Sequence, residues 1–222
     1  MTPPLDPPGI ALDREEIANA LTHGIGLLFS LVAAPFLIFA ATSRGDGLAI
    51  VGFSLFAISL VLLYGASTAY HLARTPKSKS WMRVLDHSCI FLLIAGSYTP
   101  FALVTLRGPW GWSFLAAAWT MALCGIAFKL YFTGRFPMFS NLLYLGMGWM
   151  AVIGWEPLTQ NLPAGGFEWV LGGGLCYTLG VTFFILDEKV PFFHAAWHLF
   201  VLAGSAAHVV AVYLYVLPSS AA

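Results

Sequence analysis

The stretch "FFHAAWHLF", residues 192 to 200, sets His194 and His198 four residues apart inside a strongly apolar run. On a helix that spacing puts both imidazoles on one face, about 6 Å apart along the axis, close enough to share one metal ion. It is the histidine half of the HExxH zinc motif, with Ala195 where that motif has its glutamate. Any base must therefore come from another element. "STAYH" supplies a third histidine, His71, with Ser67 one turn before it, and "LDHS" supplies Asp86. Three imidazoles with one open position are the ligand set that keeps a water on zinc and lowers its pKa to about 7. The reading is therefore a zinc site of His71, His194 and His198, with Asp86 as proton acceptor and Ser67 beside it.

The elements that must position these residues are membrane spans. Of the 222 residues 59% are hydrophobic and only 9% charged, and the mean hydropathy is +0.82. Soluble domains are about one-quarter charged. A hydrocarbon core about 30 Å thick needs roughly 20 apolar residues in helix. Seven segments qualify: Ile17 to Ala41, Leu48 to Leu72, Val84 to Leu106, Trp110 to Phe132, Phe139 to Trp155, Phe167 to Leu186 and Phe192 to Val216. The expected fold is an all-α, seven-transmembrane helix bundle. A short tail, residues 1 to 16, precedes a single membrane domain, 17 to 217, and the tail's Pro-rich, acidic character is unlike a signal peptide. Short breaker-rich loops such as "TGRFP" and "EPLTQNLPAGG" join the spans, and Pro35 and Pro100 are expected to kink theirs. The fifth span is interrupted by Gly146, Gly148 and Gly154.

Lysines and arginines set the orientation. With the N-terminus cytoplasmic, Arg14, Arg74, Lys77, Lys79, Arg83, Lys129, Arg135 and Lys189 face the cytoplasm, and only Arg44 and Arg107 face outside. The positive-inside rule then predicts a cytoplasmic N-terminus and an external C-terminus. The same assignment collects Glu16, Asn19, His23, Ser67, His71, Asp86, His87, His194 and His198 at the cytoplasmic ends of their helices. Ionisable groups inside a membrane mark functional sites by default. Glu16, Asn19 and Thr22 are also natural companions of a helix start, so with His23 they read as supporting residues around the site. His87 points about 100° away from Asp86, and His208 lies some 15 Å beyond His198, so neither is counted in it.

Net charge is zero, which gives no indication of nucleic acid as a partner. Cys89, Cys124 and Cys176 have no metal-ligand or disulfide spacing.

Taken together, "EEIANALTH" (Glu16, Asn19, Thr22, His23), "STAYH", "LDHS" and "HAAWH" resemble, in order, the motifs of the haemolysin III branch of the progestin and adipoQ receptor family. The resemblance spans residues 16 to 198 and is to a bacterial-type member. It implies a seven-helix fold in the inner (plasma) membrane, zinc on His71, His194 and His198, and a zinc-bound water held or activated by Asp86 with Ser67 beside it. It also implies kinship with ceramidase-like membrane hydrolases and a role in membrane lipid homeostasis. The leading expectation is a zinc-dependent hydrolase of lipid amide or ester bonds, with a membrane lipid as substrate or ligand. A non-enzymatic receptor or sensor with structural zinc stands as the alternative, and a haemolysin-like pore as the third. The spans have almost no polar residues to line a pore outside the cytoplasmic cluster.

Overall fold

A computed structural model describes residues 12–43 and 47–216. The first eleven residues of the expected tail, Arg44 of the charge count and residue 217 lie outside them. The described chain is helical: α1 Arg14–Thr42, α2 Gly47–Leu72, α3 Pro76–Pro100, α4 Gly108–Phe132, α5 Pro137–Gly148, α6 Trp155–Asn161, α7 Ala164–Leu186 and α8 Phe193–Ala211. Short π-helical turns, Phe101–Leu106 and Val212–Val216, continue α3 and α8. Six helices, the π-helical turns included, are long and apolar enough to cross a bilayer, and a bent pair, Pro137–Val152 with Trp155–Asn161, makes up to seven.

Local chemistry fixes the helix starts. The Asp13 carboxylate accepts from Glu16 N at 2.8 Å and caps α1. Thr75 and Ser78 form a reciprocal capping box before α3, with Pro76 in its first turn, where a missing N–H costs nothing. The basic "PKSKS" segment, expected as loop, is therefore the opening of α3.

The fifth span departs further from expectation. α5 ends at Gly148, a 3₁₀ turn Trp149–Val152 follows, and the chain bends by 55° into α6, so part of the expected loop "EPLTQN" is helix. Glycines at 146, 148 and 154 weaken the helix where it breaks. Pro35 is absorbed within α1, whereas Pro100 stands where α-helix gives way to the π-helical turn.

The bundle is apolar on its outer faces, and inside it small and polar side chains are buried together with an apolar core that includes Phe53, Phe56, Leu60 and Phe91. Along α1, Leu21, Ile25, Leu28, Val32, Phe36 and Phe39 are exposed, while Asn19, His23, Gly26, Ser30 and Ala33 are buried. Lipid tails are as apolar as leucine, so small and polar residues serve the interior contacts. At Gly26 an added Cβ would stand 2.3 Å from the Tyr64 ring, and that closeness seats α1 on α2. α2 packs on α3, α3 on α4 and α7 on α8, and α1 contacts α8, the first described helix against the last. That last contact sets the start of α8 beside the start of α1 and the end of α2.

A buried histidine triad at one end of the bundle

His71 occupies the last turn of α2, and His194 and His198 the first two turns of α8. Their rings converge, with His71 centred 5.1 Å from both partners and His194 4.7 Å from His198. One ligand atom from each can be chosen so that all three lie within 4.8 Å of one another. His71 and His198 are buried, and His194 is half-buried.

Each ring is held by one nitrogen only. His71 Nδ1–H donates to Glu16 Oε2 at 2.7 Å, and His194 Nδ1–H donates to Asp187 Oδ2 at 2.6 Å. His198 Nδ1 lies 3.0 Å from Thr22 Oγ1 and 3.2 Å from the Asn19 carbonyl, which can only accept, so this nitrogen also carries the proton. Thr22 Oγ1 spends its own proton on backbone carbonyls of α1, leaving its lone pair to His198. All three Nε2 atoms are buried with no hydrogen-bond partner among the described residues. A neutral imidazole protonated on Nδ1 has an unprotonated Nε2. Buried acceptors left bare cost about 1–3 kcal/mol each, so three converging in one place call for a shared occupant. Metal-binding histidines are oriented in this way, with the other ring N–H on a carboxylate or carbonyl. The donor set fits a metal ion.

Around the triad, Glu16 bridges His71 and Lys79, accepting from Lys79 Nζ at 2.6 Å. Asp86 is buried at 3% exposure, interacts with Ser67 and lies within electrostatic reach of His194. Ser67 Oγ is buried and completes no hydrogen bond of normal length. His23 is fully buried and stacks on His198, with centroids 3.4 Å apart and planes 16° from parallel. Among the described residues neither His23 nitrogen has a hydrogen-bond partner, nor does Asn19 Oδ1. The sequence-expected residues Glu16, Asn19, His23, Ser67, His71, Asp86, His194 and His198 are thus gathered at one end of the bundle. His87 faces the other way, with Nδ1 3.4 Å from Lys129 Nζ, and His208 bonds the Gly204 carbonyl and stacks on Tyr177.

Sequence reasoning missed Asp187. It sits in the α7–α8 turn, where the chain reverses through Phe192 at φ 62°, and helical periodicity says nothing across such a reversal. The only signal was a carboxylate in a short turn just before the HxxxH helix. An apolar cavity of about 180 Å³ adjoins the site, with His23 and Trp197 in its wall and Tyr98, Trp155, Leu158 and His208 farther along.

Fold and site together define an all-helical, multi-pass membrane protein with an internal triad of histidines able to hold a metal ion. Residues 13–209 match the family described as haemolysin-III related, and the chain belongs to that family. It is 50% identical over 207 residues to Hemolysin-3 of Bacillus cereus, covering 93% of this chain and 94% of that one. It is 46% identical over 202 residues to the Hemolysin-3 homolog of Bacillus subtilis (strain 168), covering 91% and 94%. A more distant relative is the monocyte to macrophage differentiation factor of Homo sapiens, 28% identical over 210 residues and covering 92% and 86%. Family and helices are consistent with a bacterial inner-membrane protein.

Proposed function

We propose that the chain is a zinc-dependent hydrolase of amide or ester bonds in membrane lipids, serving membrane lipid homeostasis. The observation that carries this reading is the set of three buried Nε2 atoms on His71, His194 and His198 without hydrogen-bond partners among the described residues, with the buried Asp86 carboxylate within electrostatic reach of His194. A bound zinc would supply Lewis acidity to the lipid carbonyl and a water of lowered pKa. Asp86 accepts the proton of the attacking water and returns it to the leaving group, with Ser67 beside it to help orient it. Glu16, Asp187 and the Asn19 carbonyl hold the three rings so that Nε2 faces inward. The apolar cavity receives the lipid chain while the scissile bond stays near the triad.

The N-terminus is proposed to be cytoplasmic, which puts the site in the inner leaflet. One specific feature favours a second reading, a receptor or sensor with a structural metal. The triad's histidines come from α2 and α8, so an ion there would staple those two helices whatever chemistry it does, with α1 joined through Glu16 and the Asn19 carbonyl.

The deciding experiment uses protein purified with its metal, assayed on ceramides and other acyl-lipids in nanodiscs. Wild type should release fatty acid, and Asp86→Asn should lose the activity while keeping the metal. Absence of turnover on every acyl-lipid tried, with metal bound and Asp86→Asn equal to wild type in cellular lipid composition, would leave the structural-metal reading.

A further inference from the structure

His208 stands in the last turn of α8, in the wall of the apolar cavity and about 15 Å along the helix from His198. Its ring is held in one orientation. Nδ1 lies 2.8 Å from the Gly204 carbonyl, which can only accept, so this nitrogen carries the proton. The ring stacks on Tyr177, with centroids 5.5 Å apart. Its Nδ1–Cε1 edge rests on Gly173, where an added Cβ would stand 2.4 Å from Nδ1.

That leaves Nε2. In a neutral imidazole with the proton on Nδ1 it is an acceptor. Among the described residues nothing donates to it. His208 is only 9% exposed, yet its Nε2, unlike those of the triad, is not fully covered, and the residue faces the cavity.

The hydroxyls of the wall do not serve it. Ser97 donates to the Ile94 carbonyl, Tyr98 to Gly148, Tyr144 to His87 and Thr178 to Gly174, so each of these protons is already spent. The Asn141 carboxamide, which could donate, stands one turn before Tyr144 and so at the triad end of the cavity. Elsewhere the lining is hydrocarbon, with Ile94, Phe101, Leu158 and Val170 in it. An acceptor stranded among such groups is costly, and an occupant that brings it a donor relieves that cost.

We propose that His208 Nε2 accepts a hydrogen bond from a hydroxyl carried mid-chain by a lipid in this cavity, so that the cavity prefers hydroxylated acyl chains. This rests on the cavity being a lipid-chain site, and it holds whether a metal at the triad is catalytic or structural.

The test is displacement of parinaric acid, followed by its fluorescence, from the full chain purified with its metal. The competitors are stearate, hydroxystearates with the hydroxyl at successive mid-chain positions, their methyl ethers, and the isomer hydroxylated beside the carboxylate. On wild type the best mid-chain hydroxystearate should bind about tenfold more tightly than its methyl ether or that isomer, the worth of one hydrogen bond to an otherwise stranded acceptor. His208→Phe keeps a ring on Tyr177 and should bind the three about equally. The wild-type comparison stands by itself if that variant does not fold. Equal binding by wild type of the mid-chain hydroxystearates, their ethers and the isomer would overturn the proposal, and stearate displacing the probe would still keep the cavity as a lipid-chain site. A preference that survives in His208→Phe would overturn it too, assigning the hydroxyl to another group. Failure of stearate and all the others to bind would overturn it together with the lipid reading of the cavity.

Discussion

Glu16 Oε2 accepts from His71 Nδ1 at 2.7 Å while Glu16 Oε1 accepts from Lys79 Nζ at 2.6 Å, so one carboxylate on α1 joins the end of α2 to the start of α3. Its role is to fix which His71 nitrogen is bare. Glu16→Gln keeps the volume and forfeits the charge that holds His71 Nδ1–H. Metal affinity, measured by competition with a chromogenic chelator, should fall about 10–100-fold, the usual effect of losing such a partner. Unchanged affinity would show that His71 is oriented by packing alone.

Asp187 makes the same bond to His194 from the opposite side of the site. Asp187→Asn should give a loss of the same size in the same assay. If each carboxylate acts only through its own ring, the double variant should show the product of the two losses, and a departure from that product measures the coupling of the two rings through the ion they share.

His198 has no carboxylate and depends on α1 backbone and Thr22. Thr22→Val removes one of its two acceptors but leaves the Asn19 carbonyl. Retained metal at full stoichiometry with affinity lowered less than in Glu16→Gln is the expected result. His198→Ala, by contrast, should abolish stoichiometric metal, read by elemental analysis of the purified protein.

Much of this was legible because helices repeat. The i, i+4 spacing of His194 and His198 and of Ser67 and His71 gives each pair a shared face without any tertiary information. The pattern of lysines and arginines leads one to expect both pairs on the same side of the membrane. What spacing could not give is contact across chain reversals and between distant helices. Asp187 reaches His194 through the turn at Phe192. His23 stacks on His198 from α1 to α8, 175 positions apart in sequence, and no local pattern encodes that. Lys129 was read as one more interfacial charge, because burial of a lysine depends on the helices around it rather than on its own neighbours. The break in the fifth span is a related case: three glycines mark weakness, but the direction of the 55° bend comes from packing.

Gly26 provides a check on how tightly α1 must approach α2 to bring Glu16 to His71. A methyl group there would lie 2.3 Å from Tyr64 Cδ1, and Tyr64 is fully buried with its hydroxyl donating to Ser205 Oγ at 2.8 Å. The ring cannot yield without breaking that bond. Gly26→Ala should destabilise by about 1–3 kcal/mol, the range for overpacked cores, seen as a lowered Tm in detergent. At Gly172, within α7, an added Cβ meets nothing within 4 Å among the described residues, so Gly172→Ala should hold or slightly raise Tm.

Phe192 precedes α8 in the left-handed region, at φ 62° and ψ 6°, and is 47% exposed. A non-glycine residue held there stores on the order of 1–3 kcal/mol. The surrounding structure maintains it, since Phe193 N donates to the Val190 carbonyl and Ala196 N to the Phe192 carbonyl on either side of the reversal. The reversal also aims His194 at Asp187. Phe192→Gly removes the steric cost but loosens the unfolded chain, so Tm should change little and metal affinity should stay within about threefold. Phe192→Val, β-branched and poorly tolerated at positive φ, should lower both. If Phe192→Val behaved like Phe192→Gly, the left-handed turn would not be what positions His194.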